Sequence, residues 1–165
     1  MWRVDIMQAY TAKIDAFALN IAAGKPYNAA SIAAAFAAAE SLNLGFKLFF
    51  SFDYAGNGAW AKADVLALLA QYSHHPNYFQ HAPGRPLVST FEGPGSAADW
   101  VEIKRTTGCF FIPDWSSLGA KAAIQLEVCC VPYRMPPLFL DTLSSFHWHV
   151  VRNNFILTRK SGWRC

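Results

Sequence analysis

The sequence predicts an α/β fold in which buried parallel strands alternate with helices. Four segments are apolar on nearly every residue, which is typical of strands covered on both faces rather than on one. Segments with helical periodicity separate them, so each strand leads through a helix to the next, as in successive βαβ units. The chain has 165 residues, which is long enough for one domain with a hydrophobic core. Its composition, 53% hydrophobic and 15% charged, is typical of a folded globular protein.

Periodicity predicts the elements of the first half of the chain. In order, they are a helix from Val4 to Lys13, a strand from Ile14 to Ile21, a helix from Asn28 to Leu42, a strand from Phe46 to Tyr54 and a helix from about Ala63 to Tyr72. The first helix is expected to be amphipathic, with Val4, Met7 and Tyr10 on its apolar side. Asn28 is expected to be the N-cap of the second helix.

The second half repeats the pattern after a polar, proline-containing loop at residues 74–86. The predicted elements are a strand from Leu87 to Glu92, a helix from Ala97 to Thr106 and a strand from Cys109 to Asp114. Ser96 is expected to cap this helix. Trp100 and Ile103 are expected to face the core.

Each of the four apolar runs ends on or beside a polar residue: Asn20, Asp53, Glu92 and Asp114. The carboxyl ends of parallel strands meet at one edge, where α/β proteins carry their chemistry. Two architectures fit, namely an open doubly wound sheet and half of a (β/α)8 barrel. Chain length favours the first, because a complete barrel takes about 250 residues. A polar residue at every strand end favours the second.

Charge and hydropathy exclude several classes of partner. The net charge is +3, but residues 1–121 hold nine lysines and arginines against nine acidic residues. A body without a basic excess argues against a nucleic-acid partner and for an uncharged one. No apolar stretch reaches the roughly 18 to 20 residues that cross a bilayer, and the first residues are not expected to form a signal peptide.

Histidine and cysteine spacing predicts no metal site and no cofactor. His74, His75 and His81 share one loop and are expected to be surface residues rather than ligands. Cys109 opens an apolar strand and is expected to be a small core residue.

Longer strings in the chain carry a more specific signal. FSFDYAGNG, STFEGP and FIPDWSSLG resemble the N-terminal half of glycoside hydrolase family 71, the fungal α-1,3-glucanases or mutanases, and the resemblance runs from residue 2 to about 123. It implies a partial (β/α)8 TIM barrel of about four βα units. It also implies inverting endohydrolysis of α-1,3-glucosidic bonds, an α-glucan partner, no cofactor and an extracellular or cell-wall location.

The strand-end residues acquire candidate roles in such an enzyme. Inverting glycosidases use two carboxyl groups, and the resemblance makes Asp53, Glu92 and Asp114 the candidate catalytic groups. The candidate substrate-binding residues are Asn20, Tyr54, Asn57, Trp60 and Trp115. Local roles compete with these: turn capping by the two aspartates, an ion pair of Glu92 with a lysine or arginine, and core packing of the two tryptophans.

The resemblance stops near Ala123 and divides the chain into residues 1–123 and a divergent tail, residues 124–165. The tail contains Cys129, Cys130 and Cys165 together with the whole charge excess. The acid pair of the family's WNDYGES-like motif does not occur in the sequence. We hypothesise that the tail is a gene-model artefact, from a frameshift or a retained intron. The alternative function is then a catalytically inactive fragment that at most binds glucan.

Overall fold

A computed structural model describes residues 1–118, Ala122, Val128, 146–151 and 154–159. Its helices and strands are α1 (Trp2–Thr11), β1 (Ala16–Ala22), α2 (Asn28–Leu42), β2 (Lys47–Asp53), α3 (Lys62–Tyr72), β3 (Gln80–Ala82), β4 (Arg85–Phe91), α4 (Ala97–Thr107), β5 (Phe110–Asp114), β6 (Phe146–Val151) and β7 (Asn154–Arg159). The α/β fold is confirmed, and each helix and strand predicted before residue 115 lies within two residues of its observed bounds.

The four parallel strands β1, β2, β4 and β5 are neighbours in the order in which the chain reaches them. Ala22 lies opposite Asp53, Asp53 opposite Phe91, and Phe91 opposite Asp114. The carboxyl ends of the four strands are therefore level. We call this edge of the sheet, with the loops that follow the strands, the rim. At the other side of β1, the antiparallel pair β6 and β7 extends the sheet.

The helices pack against one face of the sheet. Phe50 of β2 contacts Phe36 of α2 and Tyr72 of α3, with ring centroids 6.2 and 5.7 Å apart. Successive strand residues point to opposite faces. Ser51 and Asp53 therefore belong to the face that these helices do not cover.

The fourth helix packs on the same face through a tryptophan. Trp100 of α4 is fully buried and stacks on Phe111 of β5, with ring centroids 3.9 Å apart. It also contacts Phe52 of β2 at 6.1 Å. Trp100 and Ile103 therefore face the core, as the sequence predicts, and Cys109 is a buried core residue as well.

The segment predicted as a loop before β4 is partly a strand. Leu48 donates its amide to Asn77 O, Phe79 donates to Leu48 O, and Leu87 donates to Phe79 O, each at 2.8 or 2.9 Å. The backbone of residues 77–79 therefore lies between the first residues of β2 and β4. β3 then turns at Gly84 and pairs with the start of β4. The loop prediction was wrong here because this short segment has no apolar run.

Two local predictions of the sequence are also wrong. Val4 and its side of α1 are exposed, while Ile6 and Ala9 are buried, because α1 packs against α2 and turns this i, i+3 pair inward. Asn28 does not cap α2, since its side-chain amide donates to Ala22 O at 2.8 Å. Ser96 lies at the N-cap position of α4, as the sequence predicts, but makes no side-chain cap hydrogen bond there.

No helix of the described residues is both long and apolar enough to cross a membrane. The predicted division after residue 123 stays a prediction, because most of residues 124–165 lie outside the part of the chain that the structure describes. Cys129, Cys130 and Cys165 lie outside the described residues. The hypothesis about the origin of the tail concerns the same part of the chain and stays a prediction.

Candidate active site at the rim

Asp53 ends β2 and organises the loop that follows it. Its Oδ1 accepts hydrogen bonds from the amides of Ala55 and Gly56, both at 2.8 Å. An aspartate that binds the amides two and three residues ahead closes a tight turn. A Cβ on Gly56 would lie 2.6 Å from Asp53 Oδ2, so the turn has room for glycine alone. The turn-capping role of Asp53 is therefore present in the structure.

Asn20 joins Asp53 to the neighbouring strand. Its Nδ2 donates to Asp53 Oδ2 at 3.3 Å, and its Oδ1 accepts from Ser51 Oγ at 3.3 Å. The three side chains share the face of the sheet opposite the helices. Asn20 and Asp53 are both half-buried. This network leaves an amide and a carboxylate accessible at the rim, which are groups that can bind sugar hydroxyls.

The β2–α3 loop is fixed to the end of β1 as well. Asn57 donates its side-chain amide to Ala23 O at 2.8 Å, and Trp60 donates its indole N–H to Ile21 O at 3.0 Å. Asn57 is exposed and stands at the rim. Trp60 is buried against Phe52, with ring centroids 5.2 Å apart.

Glu92 follows β4 and binds the loop after β5. Its carboxylate accepts hydrogen bonds from the hydroxyls of Ser116 and Ser117 and from the Ser117 amide at 3.0 Å. These hydrogen bonds hold the pKa of Glu92 below its usual value, and the bond from the Ser117 hydroxyl has the largest effect. Its backbone has φ 55°, a left-handed conformation that costs a non-glycine residue about 1 kcal/mol or more. The partners of the Glu92 carboxylate are therefore serines, and not the lysine or arginine of the alternative prediction.

Asp114 is the neighbour of Glu92 at the rim. The Glu92 amide donates to Asp114 O at 2.8 Å. Burial raises the pKa of the Asp114 carboxyl, the charge of Glu92 raises it further, and hydrogen bonds from Ser116 partly offset the rise. The two adjacent carboxyl groups therefore have pKa values shifted in opposite directions. Such a pair is typical of sites where one group holds a proton and the other stays ionised.

Tyr54 and Trp115 lie beneath the rim rather than on it. Both are buried, and burial raises the pKa of Tyr54 to about 12. The Trp115 indole nitrogen has no hydrogen-bond partner within the described part of the chain. A Cβ on Gly93 would lie 2.4 Å from the Tyr54 ring, so this glycine permits the close packing. With Trp60, these residues show the burial that core packing requires, and their sugar contacts stay predictions.

Histidines form no metal cluster in the described residues, where no group of three or more potential ligands is close enough to hold an ion. His74 bonds the Ser73 hydroxyl, and His75 accepts the Asn77 amide. His81 is exposed and stacks on Phe110, with ring centroids 3.6 Å apart.

Ser116 and Ser117 are the rim residues that sequence reasoning missed. Both are exposed and lie directly after the FIPDW segment, two and three residues beyond Asp114. A pair of hydroxyls at that distance from a strand-end acid is a weak signal by itself. The role of the two hydroxyls is to bind Glu92, which lies 24 residues before Ser116 in the chain.

Comparison with known proteins identifies the family of this chain. Residues 1–130 match the sequence profile of glycosyl hydrolase family 71. A mutanase from Penicillium rubens is 37% identical over 109 residues, which cover 64% of this chain and 23% of the relative. A glucan endo-1,3-alpha-glucosidase from Schizosaccharomyces pombe is 31% identical over 137 residues, which cover 73% of this chain and 31% of the relative.

The matched part of the chain thus spans 23% to 31% of the length of these relatives. The profile match, by contrast, includes most of the chain and every rim residue described above. The chain belongs to glycosyl hydrolase family 71, a family of glycoside hydrolases.

Proposed function

We propose that this chain takes part in the hydrolysis of α-1,3-glucosidic bonds in α-1,3-glucan, as an endo-acting, inverting glycoside hydrolase located outside the cell or in the cell wall. The relatives from Penicillium rubens and Schizosaccharomyces pombe are named mutanase and glucan endo-1,3-alpha-glucosidase, respectively. Membership of glycosyl hydrolase family 71 supports glycoside hydrolysis as the reaction class. The rim supplies the groups that would meet the polysaccharide.

The topology supports a segment of a (β/α)8 barrel with about four βα units. In a doubly wound sheet the strand order reverses at a switch point, and helices cover both faces. Here the four parallel strands follow chain order, and α2, α3 and α4 contact one face. In a barrel, the opposite face lines the interior and the strand ends form the substrate cleft.

The adjacent carboxyl groups of Glu92 and Asp114 are the observation that carries the proposal. An inverting glycosidase needs one carboxyl group that protonates the leaving oxygen and one carboxylate that activates water. The raised pKa of Asp114 suits a proton donor, and the lowered pKa of Glu92 suits a group that stays ionised. Asp53 and Asn20 would bind hydroxyls of a neighbouring sugar.

A second candidate function is glucan binding without hydrolysis. The Asp53 carboxylate is bonded to two amides of its own loop and to Asn20. The Glu92 carboxylate is bonded to Ser116 and Ser117. Carboxylates that hold loops in place are less free to exchange protons with a substrate, and this favours a binding surface.

One experiment separates the two functions. The purified full chain is incubated with insoluble α-1,3-glucan, and both released reducing sugar and depletion of soluble protein are measured. Hydrolysis predicts reducing sugar that falls at least a hundredfold in Asp114→Asn. Binding alone predicts depletion of the protein without released sugar.

Asp15→Asn is the matched control, because Asp15 is an exposed aspartate directly before β1, at the edge of the sheet opposite the rim. It is expected to leave both readouts unchanged. A chain that neither depletes nor releases sugar would contradict both functions.

A further inference from the structure

Tyr27 is an exposed aromatic residue in the rim loop between β1 and α2. Its side chain is 63% exposed. Within residues 1–118, Tyr10 is the other exposed large aromatic side chain, at 45%. The aromatic residues that the sequence suggested for sugar contact are buried, so Tyr27 is the exposed aromatic ring among the rim residues of this range.

The backbone at Tyr27 is held in a closed turn. The Asn28 amide donates to Lys25 O at 3.1 Å, and Tyr27 has φ −85° and ψ −8°. These values are those of the third residue of a type I turn, and Pro26 occupies the second position, which proline favours. The Ser31 amide then donates to Tyr27 O at 2.9 Å and continues the chain into α2.

The same loop is attached to the candidate site on both sides. The side chain of Asn28 donates to Ala22 O, and that of Asn57, from the loop that Asp53 organises, donates to Ala23 O, both at 2.8 Å. The base of the Tyr27 turn is therefore fixed to the end of β1 and to the β2–α3 loop. An aromatic ring on such a base is presented to solvent with little backbone freedom left to lose.

An exposed, fixed tyrosine suits a carbohydrate ligand. One face of a glucose ring presents C–H groups, which pack on an aromatic face, while its hydroxyls bind nearby amides and carboxylates. Tyrosine loses little side-chain entropy when it becomes ordered, because it has only two side-chain torsions. A turn that is already fixed lowers the ordering cost of binding further.

We propose that Tyr27 is a substrate-binding residue that stacks on a glucose unit of an α-1,3-glucan chain lying along the rim beside Asn20 and Asp53. This inference rests on the proposed function. It names a subsite beyond the strand-end residues.

The test measures binding of the full 165-residue chain to insoluble α-1,3-glucan by depletion of soluble protein across a range of glucan concentrations. Tyr27→Ala is expected to raise the apparent Kd about three- to tenfold, which corresponds to one aromatic stacking contact. Tyr27→Phe is expected to stay close to the unsubstituted chain, because the aromatic face is preserved. Circular dichroism spectra should be the same for all variants.

Tyr10→Ala is the matched control. Tyr10 is an exposed tyrosine near the end of α1, which leads into the start of β1, and so it lies at the edge opposite the rim. Its loss should leave the Kd unchanged. Failure of the unsubstituted chain to bind glucan would overturn the proposed function and this subsite together. Equal binding by Tyr27→Ala and the unsubstituted chain, or equal weakening by both alanine variants, would overturn the subsite alone.

Discussion

The two corners of the rim hold their carboxylates in different ways. At the end of β2, Asp53 binds two amides of its own loop and one side chain of β1. After β4, Glu92 binds the hydroxyls of the loop that follows β5. Asp53 therefore sets the shape of one loop, whereas Glu92 sets the position of one loop relative to another. The same residue chemistry at equivalent strand ends thus does two structural jobs.

The glycines of the two corners offer the sharpest way to break this comparison. Gly93 has φ 85° and faces the Tyr54 ring, while Gly58 has φ 82° and open space around its Cβ position. Gly93→Ala is expected to lower the free energy of unfolding by about 3 kcal/mol or more, because backbone strain and a steric clash add. Gly58→Ala should lose about 1 to 2 kcal/mol from strain alone. Urea denaturation measures both.

A loss of equal size in the two glycine variants would show that the Tyr54 ring moves without cost. The close packing of Gly93 on Tyr54 would then make no measurable contribution to the free energy of unfolding. Tyr54→Ala combined with Gly93→Ala provides the control, since removal of the ring should reduce the cost of the alanine to that found at Gly58.

The next effect concerns the turn at the other corner. Asp53→Ala removes the acceptor of the Ala55 and Gly56 amides and is expected to cost about 2 kcal/mol of unfolding free energy. Amide hydrogen exchange should accelerate at these two residues and stay unchanged at Ser117. Asp53→Asn retains an acceptor oxygen and should cost less. Protection of both amides in the alanine variant would refute the capping role.

The smallest effects are those of pH at the Glu92–Asp114 corner. The lowered pKa of Glu92 gives stability that is present above its unfolded pKa near 4.5 and is lost as pH falls through the folded pKa. The raised pKa of Asp114 costs stability above its folded value, and that cost is relieved as pH falls below the unfolded value near 3.8. Asp114→Asn should therefore stabilise the chain at pH 7, and Glu92→Gln should destabilise it.

The measurement is the free energy of unfolding at pH 7 and at pH 3. The differences between the variants and the unsubstituted chain should be smaller at pH 3 than at pH 7. Ser117→Ala tests the cause, because its hydroxyl is the largest contributor to the lowered pKa of Glu92. In a carboxyl NMR titration this variant should raise the pKa of Glu92 more than Ser116→Ala does. Effects of the same sign for Asp114→Asn and Glu92→Gln at pH 7 would contradict the opposed shifts.

The sequence predicts the regular elements well because their signals are local. Residues 48–52 and 87–91 carry apolar side chains or small hydroxyls at every position, and burial on both faces is the physical reason. The strand β3 could not be predicted, since Gln80 and its neighbours take their conformation from pairing with β4. The turn at Gly84 is a weak signal without that partner.

The candidate site divides along the same line. That Asp53, Glu92 and Asp114 share one edge follows from strand ends alone, and the register places them there. The depth of Tyr54, Trp60 and Trp115 did not follow, because an aromatic residue after a strand can turn toward helices or toward solvent. Tertiary packing decides between the two, and the sequence around each residue does not record it.

The inserted backbone of residues 77–79 has a consequence for how this chain can vary in length. Three consecutive hydrogen bonds tie it to β2 and β4, and the buried Asn77 side chain donates to Phe46 O at 2.9 Å. A single residue added here would shift every later partner by one position and unpair both strands. The exposed turn at Pro83 and Gly84 carries no such restriction, so insertions and domain fusions belong there.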